Sequence, residues 1–414
     1  MTVKKLIAIV IIYILTFIAW MILGASNWAR TDKAFKSLRD EVSNLYGDAV
    51  IINAPKCYLE ETKDREEIIA GNKVSKIYHE TIDYELSKSE ILIDISLDQR
   101  KKGNLWFPTF KTKFSGNYEF EIKNPRMESS FKYYIYSTLG SSNSIYNNIQ
   151  LSINDKKITN VLPLIKKKAI EIIPPDDGIV KLAISYECTG MEKLMYYISP
   201  NQEDLSQINN FKLQLRTDFE NFDFAQNMMS PTEKNKIENG YKLLWQFDKS
   251  ITGKDIGVII PNKLNPGEIV SRVAFFAPIS LLFFIIVLFV ISIVLDTNIH
   301  PMNYFFLAAT FFSFHLMFSY FSDHLNIYIT FIIASFVSLI LTVTYLRTFT
   351  PTRLAYIYAP LTQLIYLIVF SYSFFFKGMT GVIVTVCSVI TLFILMQVTA
   401  KVNWEEVFGK NQTN

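Results

Sequence analysis

Hydrophobic residues along this 414-residue chain form a short block at the start and a long block at the end. From residue 271 to residue 401, apolar stretches of about twenty residues alternate with a few polar residues. An α-helix needs roughly twenty apolar residues to cross the hydrocarbon core of a bilayer. The pattern therefore predicts a transmembrane bundle whose five helices are joined by short loops. These helices are expected at 273–295, 302–321, 325–346, 354–376 and 378–400.

The amino-terminal block predicts one further span. Two lysines precede an apolar run from Leu6 to Leu23, and this run is longer than the roughly 7–15 residues typical of the apolar part of a signal peptide. We therefore expect an uncleaved signal anchor over residues 1–24, with cleavage just after it as the alternative. Trp20 and Trp28 are expected as interfacial aromatic residues at the outer end of this helix.

The polar region between the two blocks, residues 25–270, predicts a short helix followed by many strands. Apolar residues first recur at helical spacing, which indicates a short amphipathic helix that ends near Gly47. Apolar and polar residues then alternate in about ten stretches, among them 73–86, 110–122 and 179–187. This alternation, without long helices, predicts an antiparallel all-β domain with a sandwich-like arrangement.

Basic residues in the short loops predict the orientation in the membrane. Cytoplasmic loops carry an excess of Lys and Arg, and this rule places both termini in the cytoplasm with residues 25–270 in the periplasm. Six spans agree with that topology, and residues 402–414 become a cytoplasmic tail. The basic residues on the predicted cytoplasmic side are Lys4, Lys5, Arg347, Arg353 and Lys401.

Composition excludes some functions and leaves others open. The net charge is only +3, so the chain gives no indication of nucleic acid as a partner. The three cysteines, Cys57, Cys188 and Cys387, are too few for a disulfide framework. A bridge between Cys57 and Cys188 remains an alternative if their region is exported.

The predicted β-rich domain carries no recognisable catalytic motif. A Ser-His-Asp hydrolase needs a histidine base, and the only candidate, His79, lies in an alternating strand. Trp106, Phe107 and Trp245 are expected in the core, with a sugar-binding platform as the alternative. Lys166–Lys168 is expected to be a solvated flank of a hairpin. We therefore predict no enzymatic activity, no cofactor and no metal. A glycosidase needs only two carboxylates, which many positions could supply, so it stays an alternative.

The predicted membrane helices contain few polar groups that could carry chemistry. His315 lies well within a span and is expected to hydrogen-bond a neighbouring helix. Pro360 is expected to kink its helix, with Gln363 placed to satisfy the backbone groups that the kink frees. His300 and His324 lie at the ends of spans, at other depths than His315, and a metal site built from the three is not expected.

Several stretches resemble the CreD family of inner-membrane proteins. The similarity is carried by DIGVIIPNKLNPGEIVSRVAFFAPISLLFF at 255–284, IHPMNYFFLAATFFSFHLMFSYFSDHL at 299–325, LTQLIYLIVFSYSFFFKGMTG at 361–381 and QVTAKVNWEE at 397–406. The order of anchor, outer domain and helical bundle resembles that family too. The resemblance implies a bacterial inner-membrane protein linked to envelope integrity, and in some members to colicin tolerance and envelope-stress responses.

These observations together favour a non-enzymatic envelope protein. The periplasmic β-domain would bind an envelope protein or polysaccharide, and the helices would contact the lipid bilayer. Two alternatives stay open: a transporter or exporter subunit with its site near His315 and Gln363, and a membrane-tethered enzyme that modifies a periplasmic polysaccharide.

Overall fold

The structure is a computed structural model, which describes residues 3–69, 72–123, 125, 131–137, 139, 144–162, 169–199, 206–376 and 378–400. The predicted tail at 402–414 and the lysines Lys166–Lys168 lie outside the described residues. The described chain divides into two compact units. The helical unit comprises the described residues of Met1–Ser37, Gly103–Leu105 and Leu264–Asn414, and the β-rich unit comprises those of Leu38–Lys102 and Trp106–Lys263.

Long apolar helices build the helical unit, as the sequence predicts. Among the described residues, five helices are long and apolar enough to cross a membrane, and the last helix is apolar over the shorter stretch Gly381–Gln397. The helices are α1 (Val3–Tyr46), α2 (Pro266–Val294), α3 (Pro301–Phe321), α4 (Ile327–Leu346), α5 (Leu354–Phe375, of mixed helical type) and α6 (Thr380–Thr399).

The starts of these helices follow from local sequence. Proline occupies the first helical position of both α2 and α3, where its missing N–H costs no hydrogen bond. At the start of α3 the His300 ring accepts a hydrogen bond from the Met302 backbone N–H. Asn326 caps α4 by accepting from the Tyr328 N–H at 2.9 Å. His300 thus has a structural role as a helix cap.

Helix α1 differs from the prediction of an anchor followed by a separate short helix. It runs without interruption for 44 residues from Val3 to Tyr46, because the residues after the anchor include no proline to break it. The helix ends where Gly47 adopts a φ of +95°, a left-handed conformation that glycine reaches without strain. The predicted end near Gly47 is therefore confirmed, and the predicted break is wrong.

Aromatic side chains fill much of the core of the helical unit. Phe284 of α2 and Phe311 of α3 approach with ring centroids 4.4 Å apart. Phe331 of α4 packs edge-on against both Phe314 and Phe318 of α3, at 5.5 and 5.6 Å. All five rings belong to one buried cluster, so large aromatic surfaces hold these three helices together.

The β-rich unit contains eighteen strands within the described residues. They are β1 (Val50–Asn53), β2 (Lys56–Ile69), β3 (Asn72–Tyr84), β4 (Leu86–Leu97), β5 (Arg100–Lys102), β6 (Leu105–Phe107), β7 (Thr109–Glu121), β8 (Phe131–Tyr136), β9 (Tyr146–Ile153), β10 (Lys156–Lys157), β11 (Ile170–Ile172), β12 (Ile179–Met191), β13 (Lys193–Tyr197), β14 (Ser206–Thr217), β15 (Asp223–Phe224), β16 (Glu233–Ile237), β17 (Gly240–Thr252) and β18 (Ile256–Ile259).

The strands form four sheets. The largest has the order β10-β9-β12-β7-β4-β14-β17-β16, and two four-stranded sheets have the orders β1-β13-β18-β15 and β11-β8-β2-β3. Strands β5 and β6 pair with each other. Buried residues of the three larger sheets belong to one hydrophobic cluster, so the sheets share a core.

Alternation produces the inward and outward faces of the largest sheet. Along β7, buried and exposed positions alternate, and Phe114, Tyr118 and Phe120 all point inward. The sheet is not purely antiparallel as expected, because β14 pairs with β4 in parallel, with Leu213 opposite Ile91. A second parallel pair joins β1 to β13.

Strand β2 was not predicted, because its sequence lacks a clear alternation. Cys57 and Leu59 are buried at its start, but KDREE follows at 63–67. Pairing with β3 supplies the missing stabilisation, including an ion pair between Lys63 and Glu80 at 2.7 Å. The backbone ladder thus decides the conformation here rather than the apolar pattern.

Candidate functional site

A chain of neutral polar side chains crosses the interior of the helical unit. Gln363 of α5 is fully buried, and its amide Nε2 donates to Ser338 Oγ of α4 at 2.8 Å. Ser338 Oγ in turn donates to the backbone carbonyl of Thr310 in α3 at 2.7 Å. The Thr310 hydroxyl lies 2.8 Å from that of Thr342 in α4. We call these four residues the Gln363 cluster; they link three helices near their midpoints.

The hydrogen bonds of the Gln363 cluster fix the orientation of the amide. A backbone carbonyl can only accept, so the Ser338 hydroxyl hydrogen is committed to Thr310. Ser338 Oγ must therefore accept from the amide N–H of Gln363, which leaves the amide oxygen Oε1 on the other side. This oxygen is buried and has no donor among the described residues. A buried unsatisfied acceptor costs about 1–3 kcal/mol.

The helix that carries Gln363 is irregular on both sides of Pro360. Residues Leu354–Tyr358 and Leu364–Val369 are π-helical, with an α-helical segment, Ala359–Gln363, between them. The Ala359 N–H donates to the carbonyl of Leu354, five residues back. Two π-helical segments therefore flank Pro360, a feature that is frequent at functional sites. The side chain of Gln363 bonds Ser338 rather than the freed backbone.

His315 lies in a different interface, between α1 and α3. Its Nδ1 is 2.9 Å from the carbonyl of Phe311 in its own helix, so the expected hydrogen bond to a neighbouring helix is replaced by one within α3. The ring packs edge-on against Trp20 of α1, with centroids 5.6 Å apart. Trp20 is fully buried, so its indole packs inside the helical unit.

Polar contacts continue from His315 toward the end of α3. Ser319 Oγ donates a hydrogen bond to Asn27 Oδ1 at 2.5 Å. Arg30 Nη2 donates to the same oxygen at 3.1 Å. Arg30 also pairs with Asp323 at 3.2 Å and lies over the ring of Tyr320 at 4.9 Å. We call the set Trp20, Asn27, Arg30, His315, Ser319 and Asp323 the α1–α3 seam.

A polar groove of about 270 Å³ lies on the outward face of the largest sheet. One row of facing residues crosses four strands, from Glu90 through Asn117 and Ala183 to Ser152. Because Ala183 has a small side chain, it forms the floor of the groove in the middle of this row. Charged residues line the groove beside this row, and they are Lys88, Glu119, Asp155 and Lys181. The groove therefore offers hydrogen-bond donors and acceptors with charges of both signs.

Burial keeps two cysteines and two tyrosines of the β-rich unit in their neutral forms at neutral pH. Burial raises the pKa of the Cys57 and Cys188 thiols to about 12, so neither forms a reactive thiolate. Both are free thiols rather than the bridge that the sequence left open. Burial also raises the pKa of Tyr118 and of Tyr196, whose hydroxyl oxygens are 3.3 Å apart.

The other predicted candidates of this unit have structural surroundings. His79 is exposed on β3, and its Nδ1 lies 2.9 Å from a carboxylate oxygen of Glu60. Trp245 is fully buried and donates its indole N–H to the carbonyl of Met229 at 3.0 Å. Phe107 is also fully buried, while the ring of Trp106 lies under the Lys263 ammonium group at 4.0 Å.

Within the described residues, no group of three His, Cys, Asp or Glu side chains is arranged to hold a metal ion. Neither a protein-family model nor a curated protein matches the chain. The candidate sites are therefore judged on their geometry: the Gln363 cluster, the α1–α3 seam and the polar groove on the largest sheet.

Proposed function

We propose that the chain is a non-enzymatic protein of the bacterial inner membrane that supports envelope integrity or the response to envelope stress. Six helices span the bilayer, and the sandwich-like β-rich unit binds an envelope protein or polysaccharide in the periplasm. The resemblance to the CreD family supports this proposal. The observation that carries it is the polar groove over Ala183 on the largest sheet, in a unit that has its own core.

The contacts of the helical unit support the proposed topology. Lys5 donates to Asn298 Oδ1 at 2.8 Å, so the start of α1 lies beside the loop between α2 and α3. Arg347 and Arg353 lie in the loop between α4 and α5, on the same side of an alternating bundle. The positive-inside rule makes this side cytoplasmic. The α3–α4 loop and the β-rich unit then belong to the periplasmic side.

The neutral character of the groups buried among the helices supports a role outside catalysis. Members of the Gln363 cluster carry no charge, and small hydroxyl groups such as Ser338 let neighbouring helices approach closely. Proton and ion pathways in membranes use buried carboxylates and lysines. We therefore assign the partner-binding role to the groove on the β-rich unit and an anchoring role to the helices.

Site-specific photocrosslinking tests this assignment. Ala183, at the floor of the groove, is replaced by a photoreactive phenylalanine analogue in living cells. Asn235, exposed on β16 of the same sheet and three strands beyond β4, is the matched control position. The proposal predicts a crosslinked envelope protein or polysaccharide at Ala183 and not at Asn235. Equal crosslinking at both positions, or none at either, would contradict it.

Transport is the second candidate function, and one observation favours it. The Oε1 atom of Gln363 is an acceptor without a donor among the described residues, and Gln363 lies between two π-helical segments. Irregular helices at such depth line substrate sites in transporters. Proteoliposomes loaded with Na⁺-sensitive or pH-sensitive dyes test this directly. Flux in the wild type that Gln363→Leu abolishes would support transport, and the absence of flux would dismiss it for these ions.

A further inference from the structure

Three buried polar atoms without hydrogen-bond partners among the described residues lie along the α1–α3 seam. They are Trp20 Nε1, Asn27 Nδ2 and His315 Nε2, each lacking a hydrogen-bond partner among the described residues. Their side chains are only 0%, 2% and 2% exposed. Buried polar atoms in native proteins are nearly always paired with protein groups or with ordered water. Three such atoms along one interface therefore identify a place where a small polar molecule can bind.

The chemistry of these atoms defines what the ligand is. Since the Phe311 carbonyl can only accept, the neutral His315 ring carries its hydrogen on Nδ1, and Nε2 presents a lone pair. Trp20 and Asn27 present N–H donors. A cation is repelled by these donors, and an anion finds no donor at Nε2. The site fits a small neutral molecule that both donates and accepts hydrogen bonds, and water is such a molecule.

The seam also offers a route for water. His315 lies six residues before the end of α3 at Phe321, about 9 Å along the helix axis at 1.5 Å per residue, and Asp323 follows two residues after that end. The hydrogen-bonded side chains of Ser319 and Asn27 lie between His315 and Asp323, so the interface is polar from one to the other. The Arg30–Asp323 pair is 40% and 47% exposed and forms the open end.

The remaining surroundings of His315 are apolar. Within α3 the ring contacts Phe311 and Phe314. The neighbouring helices α2 and α4 present Phe284 and Phe331 to these two phenylalanines. Among the described residues, the ion pair of this interface is Arg30–Asp323 at its open end, and a neutral ligand needs no counter-charge beside the imidazole.

We propose that the α1–α3 seam is a hydrated site, in which water enters beside Arg30 and Asp323, passes Asn27 and Ser319, and donates a hydrogen bond to His315 Nε2. The same water accepts from the indole N–H of Trp20. The inference goes beyond the binding role of the β-rich unit, since it gives the interior of the helical unit contact with the periplasmic water phase.

Hydrogen exchange of the indole N–H groups tests the proposal in the full chain, reconstituted in lipid nanodiscs and ¹⁵N-labelled at tryptophan. Trp28, which is 62% exposed, is the fast reference, and Trp245, fully buried and hydrogen-bonded, is the slow one. Hydration predicts that Trp20 exchanges at least about 100-fold faster than Trp245, because exchange reports access to water. Asn27→Leu removes the polar lining and should slow Trp20 at least about 10-fold.

Thr16→Val is the matched control on the same helix, because within the described part of the chain the Thr16 hydroxyl donates to the carbonyls of Ile12 and Tyr13 in its own helix. It should leave the exchange of Trp20 unchanged. The helical circular-dichroism signal reports whether the helical unit of each variant is folded, and the Trp245 resonance reports the β-rich unit. A Trp20 indole that exchanges as slowly as Trp245 in the wild type means a dry seam and overturns the proposal. Fast exchange that persists in Asn27→Leu overturns the proposed route.

Discussion

Replacing Gln363 by leucine tests whether the Gln363 cluster is a structural link or a ligand site. The substitution keeps the approximate volume of the side chain and removes both of its polar ends. Ser338 keeps its bond to the Thr310 carbonyl at 2.7 Å, so no new unmet group appears at that hydroxyl. The variant should therefore fold with the same helical content.

The magnitude follows from two opposing terms. Loss of the 2.8 Å bond from Gln363 to Ser338 costs about 0.6–1 kcal/mol, as measured for hydrogen bonds between membrane helices. Removal of the unsatisfied Oε1 atom recovers about 1–3 kcal/mol. We expect Gln363→Leu to be neutral or stabilising, by about 0–2 kcal/mol. The matched variant Ser338→Ala leaves the amide N–H of Gln363 unpaired and should destabilise by about 1–3 kcal/mol.

Equilibrium unfolding in mixed detergent micelles measures both effects. The helical circular-dichroism signal is followed while the fraction of denaturing detergent is raised, and the midpoints of the variants are compared with the wild type. A decrease of more than about 1 kcal/mol in the free energy of unfolding of Gln363→Leu would refute the argument that Oε1 lacks a hydrogen-bond donor. It would indicate that Oε1 has a partner, such as a bound water or ligand, in the folded protein.

Three further predictions concern the β-rich unit. Arg39→Ala removes a two-pronged ion pair with Glu192, at 2.6 and 2.8 Å, that is only partly exposed; it should lower the free energy of unfolding by about 1–3 kcal/mol in urea titrations followed by tryptophan fluorescence. Gly240→Ala should cost more than about 2 kcal/mol in the same assay, because φ is +149° and a Cβ atom would lie 2.0 Å from a backbone carbonyl oxygen. Burial raises the pKa of the Cys57 and Cys188 thiols to about 12, so both should resist maleimide labelling at pH 8 until the protein is unfolded. The same raised pKa predicts that their contribution to the free energy of unfolding is retained below about pH 9 and lost as the pH rises toward 12.

Most of the helices could be predicted, because a span of apolar residues has no other stable arrangement in a bilayer. Helix α1 shows the limit of that argument. The polar residues after Leu23 interrupt its apolar pattern, so the pattern predicts two helices where the structure has one. Similarly, β2 forms despite the charged sequence after Thr62, since its partner strand β3 supplies the hydrogen bonds.

The candidate sites could be predicted only in part, for a physical reason. Single polar residues within apolar spans, such as His315 and Gln363, stand out by their cost in lipid. Their partners do not, because Ser338 and Asn27 become significant only through contacts 25 and 292 residues away in sequence. The π-helical turns beside Pro360 also depend on packing, which no local pattern encodes.

The proposed topology is tested most directly by labelling two engineered cysteines in intact spheroplasts. In a background without the three natural cysteines, Asp176→Cys probes an exposed turn of the β-rich unit, and Thr413→Cys probes the carboxyl terminus. A membrane-impermeant maleimide should label Asp176→Cys in intact spheroplasts and Thr413→Cys only after lysis. Labelling of both before lysis, or of Thr413→Cys alone, would contradict a six-span protein with a periplasmic β-rich unit.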